Sequence, residues 1–261
     1  MTPAALKVSL IQTDLAWHDA AANRDRFDHL LAPLAGQTDL VVLPEMFSTG
    51  FTMAAAQVAE PVEGPTTQWM RTLSKGLDAV VTGSIVTQDG DHYFNRLIWM
   101  RPDGSHATYD KRHLFRMALE HKHYASGSKQ LLVDLNGWRI CPLVCYDLRF
   151  PVWSRHSATH AYDVLLYVAN WPERRRYAWQ TLLKARAIEN LSYCIGVNRV
   201  GTDGLDVSYT GDSAALDFMG QPLIPDLAGE AVQTVTLDYT ALKAFRAKFP
   251  AHMDADEFGL K

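Results

Sequence analysis

The chain is poor in cysteine, with three among its 261 residues. A small and odd number of cysteines in a chain of this length does not form the disulfide framework on which small secreted domains depend. The sequence therefore predicts a protein of a reducing compartment, which we expect to be the cytoplasm.

Long apolar runs and an excess of basic charge are also missing. No stretch approaches the roughly 18 consecutive apolar residues that span a bilayer, and the first residues lack the charged and then apolar pattern of a secretion signal. The 25 Lys and Arg residues are outnumbered by 29 Asp and Glu, which gives a net charge of −4. Proteins that bind nucleic acid or anionic membranes concentrate Lys and Arg, so we expect neither partner.

Three common enzyme signatures are lacking as well. No two glycines have the spacing of G-x-S-x-G or G-x-G-x-x-G, and no Gly-Lys pair marks a phosphate-binding loop. The sequence therefore excludes the enzyme classes that carry these serine-hydrolase, dinucleotide-binding and P-loop motifs.

The chain does contain short apolar runs that alternate with longer segments of helical character. These segments predict helices near 19–34, 66–76, 175–190 and 240–248, with a short helix after Arg149. A polar, His-rich stretch at 111–129 has no clean period and predicts a long functional loop. The apolar runs predict strands near 6–11, 40–43, 79–87, 93–100, 131–135, 138–144, 164–169, 193–200, 209–217 and 231–237, and a further hairpin strand that reaches Tyr109.

Both crossover-type and hairpin-type connections occur in this order, which predicts an α/β fold with mixed sheets. With about ten strands and four or five helices, the economical arrangement is two sheets packed face to face with helices outside. We expect a single domain over residues 1–261. A polar tail from about residue 250, with Asp254, Asp256 and Glu257, is expected to dock on a partner subunit.

Three reactive side chains each stand where an apolar run ends. Poor solvation behind a buried strand raises the pKa of a carboxyl such as Glu45 toward the range of a general base. Lys111 offers a permanent cation for a thiolate or an oxyanion. Cys145 lies between a strand and a short helix, where amides stabilise negative charge. Taken singly, the three also fit plainer interpretations: a solvated loop Glu, a charged loop Lys, and a buried core cysteine like Cys141 and Cys194.

A zinc site is an alternative use of the same region. Cys141 and Cys145 are four residues apart, and His113, His121 and His123 lie upstream. The strand ends before Cys145, however, and no obvious tight turn supports a metal ligand pair, so the sequence favours the absence of a metal. A dyad of Cys145 with His113 or His123 also stays open.

Taken together, three segments resemble the signature segments of the nitrilase superfamily of carbon-nitrogen hydrolases. They are 43–47 (Leu-Pro-Glu-Met-Phe), 109–115 (Tyr-Asp-Lys-Arg-His-Leu-Phe) and 144–151 (Val-Cys-Tyr-Asp-Leu-Arg-Phe-Pro), and segments at 169–172, 185–190 and 211–213 also look like family segments. Within the superfamily, Cys-Tyr-Asp-Leu-Arg-Phe-Pro with Asn-Trp-Pro resembles the bacterial omega-amidase branch. That branch hydrolyses the amides of 2-oxoglutaramate and 2-oxosuccinamate.

The resemblance implies a four-layer αββα sandwich, a homo-oligomer of at least two subunits, a small-molecule amide substrate and no cofactor. It implies that Glu45, Lys111 and Cys145 are the catalytic triad, and it suggests Glu120 as an auxiliary acid beside them. Amide hydrolysis needs a nucleophile, a proton-transfer group and oxyanion donors. We expect Cys145 to form a thioester, Glu45 to move the proton, and Lys111 with the backbone N–H of Tyr146 to stabilise the oxyanion.

Substrate contacts are expected beside the signature segments. A small dicarboxylate monoamide needs a cation for its distal carboxylate, and Arg149 or Arg175 offers bidentate contact, although Arg149 also suits a structural ion pair beside the nucleophile. Phe47, Tyr146 and Trp171 are expected to wall the pocket, unless they belong to the core.

Other functions stay open at this level. A nitrile or an N-carbamoyl compound would suit another branch of the same superfamily. A non-catalytic binding module and a zinc-binding interaction protein belong to different classes altogether. The joint presence of Glu45, Lys111 and Cys145 argues against the silent module, because such a protein has no reason to keep all three.

Overall fold

The computed structural model describes residues 3–157, 159–256 and 259. Within this part of the chain, fourteen strands and five α-helices are joined by loops and single turns of 3-10 helix. The strands are β1 (Leu6–Gln12), β2 (Leu40–Val42), β3 (Glu60–Pro61), β4 (Val80–Asp89), β5 (His92–Met100), β6 (His106–Asp110), β7 (Val133–Leu135), β8 (Trp138–Val144), β9 (Val164–Ala169), β10 (Tyr193–Asn198), β11 (Val200–Thr202), β12 (Ser208–Thr210), β13 (Ala214–Leu216) and β14 (Ala231–Leu237). The helices are α1 (Ala20–Leu31), α2 (Ala55–Val58), α3 (Pro65–Leu77), α4 (Arg176–Asn190) and α5 (Tyr239–Lys248).

Two mixed sheets form the centre of the molecule. The larger has the order β14-β1-β2-β4-β5-β6, with β3 beside β4, and the smaller has the order β13-β10-β9-β8-β7. β1, β2 and β4 run parallel in the first sheet, and β8, β9 and β10 run parallel in the second. The pairs β1–β14 and β4–β5 are antiparallel. β4 and β5 form a hairpin that turns at Gly90, which has a φ of 58°.

Most buried apolar side chains belong to two clusters, one that fills the space between the sheets and continues under α4, and one under α1 and α3. Within β2, Leu40 and Val42 face the second sheet, whereas Val41 faces the layer formed by α1 and α3. This alternation follows from the period of two along a strand. β9 and β10 are buried at every position because α4 covers their outer face, with Trp179 and Leu183 in the same core as both strands. Two sheets with helices on both outer faces confirm the predicted αββα arrangement.

Several predicted boundaries are wrong for local reasons. The short helix expected after Arg149 is a 3-10 turn at Cys145–Arg149, which begins directly at the end of β8. The strand expected at 209–217 is divided into β12 and β13, because Gly211 and Asp212 have φ values of 77° and 57° that interrupt extended backbone.

The end of the chain is described in part. Ala251–Asp254 form a single 3-10 turn, and Glu257 of the expected docking tail lies outside the described residues. Among the helices of the described ranges, none is long and apolar enough to cross a membrane.

Candidate active site

The three strand-end residues meet at one edge of the paired sheets. Glu45, Lys111 and Cys145 follow the carboxyl ends of β2, β6 and β8. β2 and β6 run in the same direction in the first sheet, and the N–H of Asn170, just after β9 of the second sheet, reaches Glu45. The Nζ of Lys111 lies 2.9 Å from Oε1 of Glu45, although the two residues are 66 positions apart in sequence. Cys145 lines the same cavity as Lys111. Open α/β sheets commonly bind ligands at this edge.

The carboxylate of Glu45 is fully buried and held by three donors. Asn95 Nδ2 and Lys111 Nζ donate to Oε1 at 2.7 and 2.9 Å, and the backbone N–H of Asn170 donates to Oε2 at 2.8 Å. The side chain of Asn170 also donates to the backbone oxygen of Glu45. The turn behind it is fixed by Ser84, whose hydroxyl accepts from the N–H of Met46. Glu45 therefore has one defined position.

Lys111 stands between two buried carboxylates. Its Nζ lies 3.0 Å from both oxygens of Glu120, in addition to the contact with Glu45, and only 1% of its side chain is exposed. Burial alone lowers the pKa of Lys111, but the charges of Glu120 and Glu45 outweigh that effect and raise the pKa above its ordinary value. The same burial raises the pKa of Glu120, which Lys111 partly offsets. The structure thus places Glu120 beside Lys111, within 3.0 Å of its Nζ.

Cys145 occupies a strained turn at the start of the Cys145–Arg149 segment. Its φ of 45° lies in the left-handed region, which costs a non-glycine residue about 1–3 kcal/mol and requires support from the surroundings. Asp147 gives that support, because its buried carboxylate accepts from the N–H of Val144 at 3.1 Å and from the hydroxyl of Tyr109 at 2.7 Å. Burial raises the pKa of the Cys145 thiol, and the charge of Glu45 raises it further. The thiol is therefore neutral until a base takes its proton.

The histidines considered at the sequence level lie elsewhere. Nδ1 of His113 contacts Asp147 at 2.8 Å and its ring stacks on Phe150 at 3.8 Å, so it supports the turn below Cys145. His121 and His123 line a separate surface groove.

The second cysteine of the suggested metal pair is also distant from the site. Cys141 is buried on the face of the second sheet that α4 covers, with Sγ 3.5 Å from Nε2 of His160, and it does not line the cavity. In the ranges that the structure describes, no group of three or more His, Cys, Asp or Glu side chains is arranged to hold a metal ion.

A cavity of about 230 Å³ opens over the thiol. It is smaller than the roughly 300–1,000 Å³ typical of drug-sized ligands, which suits a small metabolite. The lining residues are Phe51, Met53, Lys111, Phe115, Ala118, Cys145, Tyr146, Arg149, Asn170, Trp171, Pro172, Arg174, Arg175, Asp203, Leu205, Val207 and Tyr209. Of the expected substrate contacts, Arg149 and Trp171 are in this wall, as are Tyr146 and Arg175.

Phe47 was expected to wall the pocket unless it belonged to the core, and the structure places it in the core. Its ring packs in the cluster under α1 and α3 against Phe27 and Trp69, with centroids 5.6 and 5.8 Å apart. The reason is Gly83 on β4: a Cβ at this position would lie 2.8 Å from Cδ1 of Phe47, so the missing side chain provides the space that the ring fills. Phe47 therefore supports the Glu45 turn from behind and does not line the cavity.

Sequence reasoning missed the contacts of Asn95, Asp147 and Asn170. Asn95 Nδ2 lies between Glu45 and Glu120, at 2.7 and 3.4 Å from their carboxylate oxygens. The sequence did contain a signal for two of them: Asn95 interrupts the apolar strand β5, and Asp147 lies in an apolar segment. A polar residue within an apolar run is informative because buried polar side chains are uncommon. Which atoms they would meet depends on how the sheets pack.

Comparisons with known proteins identify a family that the chain matches along most of its length. The family model described as carbon-nitrogen hydrolase matches residues 7–247. The chain is 49% identical over 254 residues to the omega-amidase YafV of Yersinia enterocolitica, covering 97% of this chain and 98% of the other. It is 28% identical over 250 residues to the 2-oxoglutaramate amidase of Bacillus subtilis (strain 168), covering 95% and 96%.

A solved structure is similar over the whole fold. XC1258 of Xanthomonas campestris, described as a CN-hydrolase superfamily protein with an arsenic adduct in its active site, has a TM-score of 0.97 and 50% identity. The match covers 99% of this chain and 100% of that one.

Proposed function

The chain belongs to the carbon-nitrogen hydrolase family, and from this premise we propose that it hydrolyses the amide of small 2-oxo dicarboxylate monoamides, such as 2-oxoglutaramate and 2-oxosuccinamate. The products are the acid and ammonia. The proposed reaction rests on one observation. The cavity lined by Cys145 is also lined by Lys111, whose Nζ donates a hydrogen bond to Oε1 of Glu45. The substrate class rests on the omega-amidase of Yersinia enterocolitica and the 2-oxoglutaramate amidase of Bacillus subtilis.

The first half of the reaction forms a thioester. Glu45 accepts the thiol proton of Cys145 as the sulfur attacks the amide carbon, which is needed because the buried thiol holds its proton at neutral pH. The charge on the amide oxygen is stabilised by Lys111 and by the backbone N–H of Tyr146. Glu45 then gives the proton to the leaving nitrogen, the carbon–nitrogen bond breaks, and ammonia departs.

The second half returns the free enzyme. Glu45 takes a proton from a water molecule, and the water oxygen attacks the thioester carbon. The carbon–sulfur bond breaks, Glu45 gives that proton to the departing sulfur of Cys145, and the carboxylic acid is released. Glu120 serves as the auxiliary acid: both of its carboxylate oxygens lie 3.0 Å from Nζ of Lys111, and burial raises its pKa.

Substrate contacts complete the proposed site. Arg149 lies over the ring of Trp171, with Cζ 5.0 Å from the ring centroid, and both side chains face the cavity. We assign Trp171 to the wall and Arg149 to the recognition of the substrate carboxylate.

The proposal extends to the assembly. We propose a cytoplasmic homo-oligomer of at least two single-domain subunits. Its oligomeric state is supported by exposed Phe249 and Met253 at the end of α5 and in the expected docking tail, with 54% and 77% exposure, because large apolar side chains are commonly covered by a partner. Light scattering on the full chain is expected to give at least a dimer, and a chain ending at residue 248 is expected to give a weaker one. A monomeric full chain contradicts this part of the proposal.

Ammonia release from 2-oxoglutaramate tests the activity. The wild type is expected to release ammonia, and folded Cys145→Ala to release none, while Cys141→Ala serves as a matched control that removes a thiol outside the cavity. A panel with a nitrile and an N-carbamoyl compound runs beside it. Turnover of one of those compounds with none of 2-oxoglutaramate would overturn the substrate assignment, and an active Cys145→Ala variant would overturn the nucleophile.

A further inference from the structure

The buried charges beside the thiol do not balance. Glu45 and Glu120 are both fully buried, and each forms its ion pair with the same cation, Lys111. Cys145 adds no charge, because burial raises the pKa of its thiol. Two carboxylates thus share one ammonium group away from solvent, where a charge is costly unless other groups stabilise it. The second carboxylate needs a donor besides Lys111.

The side-chain amide of Asn95 is such a donor, and it contacts both carboxylates. Its Nδ2 lies 2.7 Å from Oε1 of Glu45 and 3.4 Å from Oε1 of Glu120. The same two oxygens lie 2.9 and 3.0 Å from Nζ of Lys111. Each of the other two carboxylate oxygens accepts from a backbone N–H. Asn95 therefore links Glu45 to Glu120, as Lys111 does.

The first sheet fixes the position of this amide. Asn95 is fully buried on β5, pairs with Val86 of β4, and accepts the backbone N–H of Lys111 at 3.0 Å through its own backbone oxygen. A reversed amide would direct Oδ1 at two carboxylate oxygens, so the nitrogen faces them. An amide nitrogen offers two N–H groups and has no charge that depends on pH. It stabilises the second carboxylate without adding a titratable group.

The other titratable groups near the two carboxylates keep their protons. The charge of Glu45 acts on Tyr209 and that of Glu120 acts on Tyr124, and in both phenols burial is the main cause of a raised pKa. The pKa of Lys111 is raised as well, so its ammonium group stays charged. Below neutral pH, a proton that enters this cluster is therefore bound by Glu45 or Glu120.

We propose that Asn95 is a positioning residue that prevents a proton from being held between Glu45 and Glu120, so that Glu45 stays ionised and can accept the proton of the Cys145 thiol. This inference rests on the proposed function and extends it, because it names the group that keeps the base unprotonated. Two neighbouring carboxylates that lack donors retain one proton, since both charges at short distance repel each other. With that proton bound, Glu45 cannot take the thiol proton.

The acidic limb of the pH profile of kcat/KM tests this role, because it reports protonation of a base in the free enzyme. In Asn95→Leu, the limb for 2-oxoglutaramate is expected to move to higher pH by roughly one to two units, the equivalent of one lost hydrogen bond to a charged group. Adding Glu120→Gln removes the second carboxylate, so the limb is expected to return to that of Glu120→Gln alone. An amide that only shapes the site would lower kcat/KM at every pH and leave the limb in place, and that result would overturn the proposal.

Thermal stability gives a second readout, which needs no turnover. A pair that binds a proton in the folded variant, at a pH where the carboxyls of the unfolded chain have lost theirs, stabilises the fold at low pH and less as the pH rises. The melting temperature of Asn95→Leu should therefore lie further below the wild-type value at pH 8 than at pH 5, and adding Glu120→Gln should abolish this difference. Such a difference in an enzyme inactive on every amide would support the role of Asn95 and contradict the proposed function. Equal deficits at both pH values would contradict the role itself.

A matched control removes a buried hydrogen bond that involves no carboxylate. Thr82 is fully buried in the same sheet and donates to the backbone oxygen of Ile98 at 2.8 Å. Thr82→Val should have the same deficit at both pH values and the acidic limb of the wild type. A pH-dependent deficit in this control would show that any lost buried hydrogen bond has the effect, which would overturn the proposal. Asn95→Ala removes the same donor from a smaller side chain and is measured in the same way where Asn95→Leu does not fold.

Discussion

Lys111 is the cation that two buried carboxylates share, and its removal should affect activity and stability separately. Lys111→Met is expected to lower kcat about 10²–10³-fold, the usual cost of losing an oxyanion donor. It should also lower the free energy of unfolding by about 3–5 kcal/mol, because Glu45 and Glu120 are left without their partner. Steady-state kinetics and urea unfolding measure the two effects.

A double variant distinguishes charge balance from catalysis. Adding Glu120→Gln to Lys111→Met removes one uncompensated carboxylate, so stability should recover in part while activity does not. Lys122→Met, an exposed change in the same loop, is the control and should affect neither. Recovery of kcat in the double variant would contradict the role of Lys111.

Glu45 should affect the thiol in two opposite ways. Its charge raises the pKa of Cys145, after the larger effect of burial, so Glu45→Gln should lower that pKa even though the variant loses the base and its turnover. The pH dependence of Cys145 alkylation by iodoacetamide measures this. The rate of alkylation is expected to begin rising at a lower pH in Glu45→Gln than in the wild type. A curve that stays in place or moves to higher pH would show that Glu45 does not face the thiol.

Among the chain's elements, the turn at Cys145–Arg149 depends on one side chain. Asp147→Asn weakens the bonds to the N–H of Val144 and the hydroxyl of Tyr109, and a buried polar group left unsatisfied costs about 1–3 kcal/mol. We expect a lower melting temperature and a fall in kcat as Cys145 leaves its left-handed conformation. The exposed Asp134→Asn on β7 should change neither. Full activity in Asp147→Asn would show that the turn is held by other contacts.

The elements themselves were largely predictable from the sequence, and their contacts were not. Periodicity placed the strands well enough to mark Glu45, Lys111 and Cys145 as strand-end residues, and the αββα layers followed from the order of elements. The orientation of Phe47 was not predictable, because it depends on the space left by Gly83 on β4. This strand pairs with β2, although the paired residues are 40 positions apart in the chain. Burial patterns show which side of a strand is apolar, but they do not show which neighbour lies there.

The contacts of Glu120 illustrate the same limit. It lies in a loop without a clean period, and its backbone forms single 3-10 turns that periodicity does not detect. Only the resemblance suggested it, and the physical reason for its burial, the shared Nζ of Lys111, exists only in the folded chain.

At the scale of the whole molecule, a buried histidine links folding to pH. Burial, followed by the charges of Arg246 and His252, lowers the pKa of His156 from 6.5 to about 3. The unfolded chain therefore takes up a proton as the pH falls below about 6.5, whereas the folded chain does so only near 3. The free energy of unfolding therefore decreases as the pH falls from about 6.5 toward 3.

Replacing the histidine should remove part of this dependence. His156→Phe keeps a ring beside Tyr162 and cannot be protonated, so its melting temperature should fall less steeply than that of the wild type between pH 6.5 and 4. Thermal unfolding followed by circular dichroism measures the slope. The exposed His29→Gln is the matched control and should keep the wild-type slope. Equal slopes for wild type and His156→Phe would contradict this account.

The site at the shared edge of the two sheets also has a consequence for refolding. Asn170 on one sheet bonds Glu45 on the other across 125 positions of chain, and loop closure over such separations is slow. The backbone pairing of each sheet involves no strand of the other, but the nucleophile and the base come from different sheets. During refolding, helix and strand content should therefore return before enzyme activity does. The delay between the two measures how long one sheet takes to dock on the other.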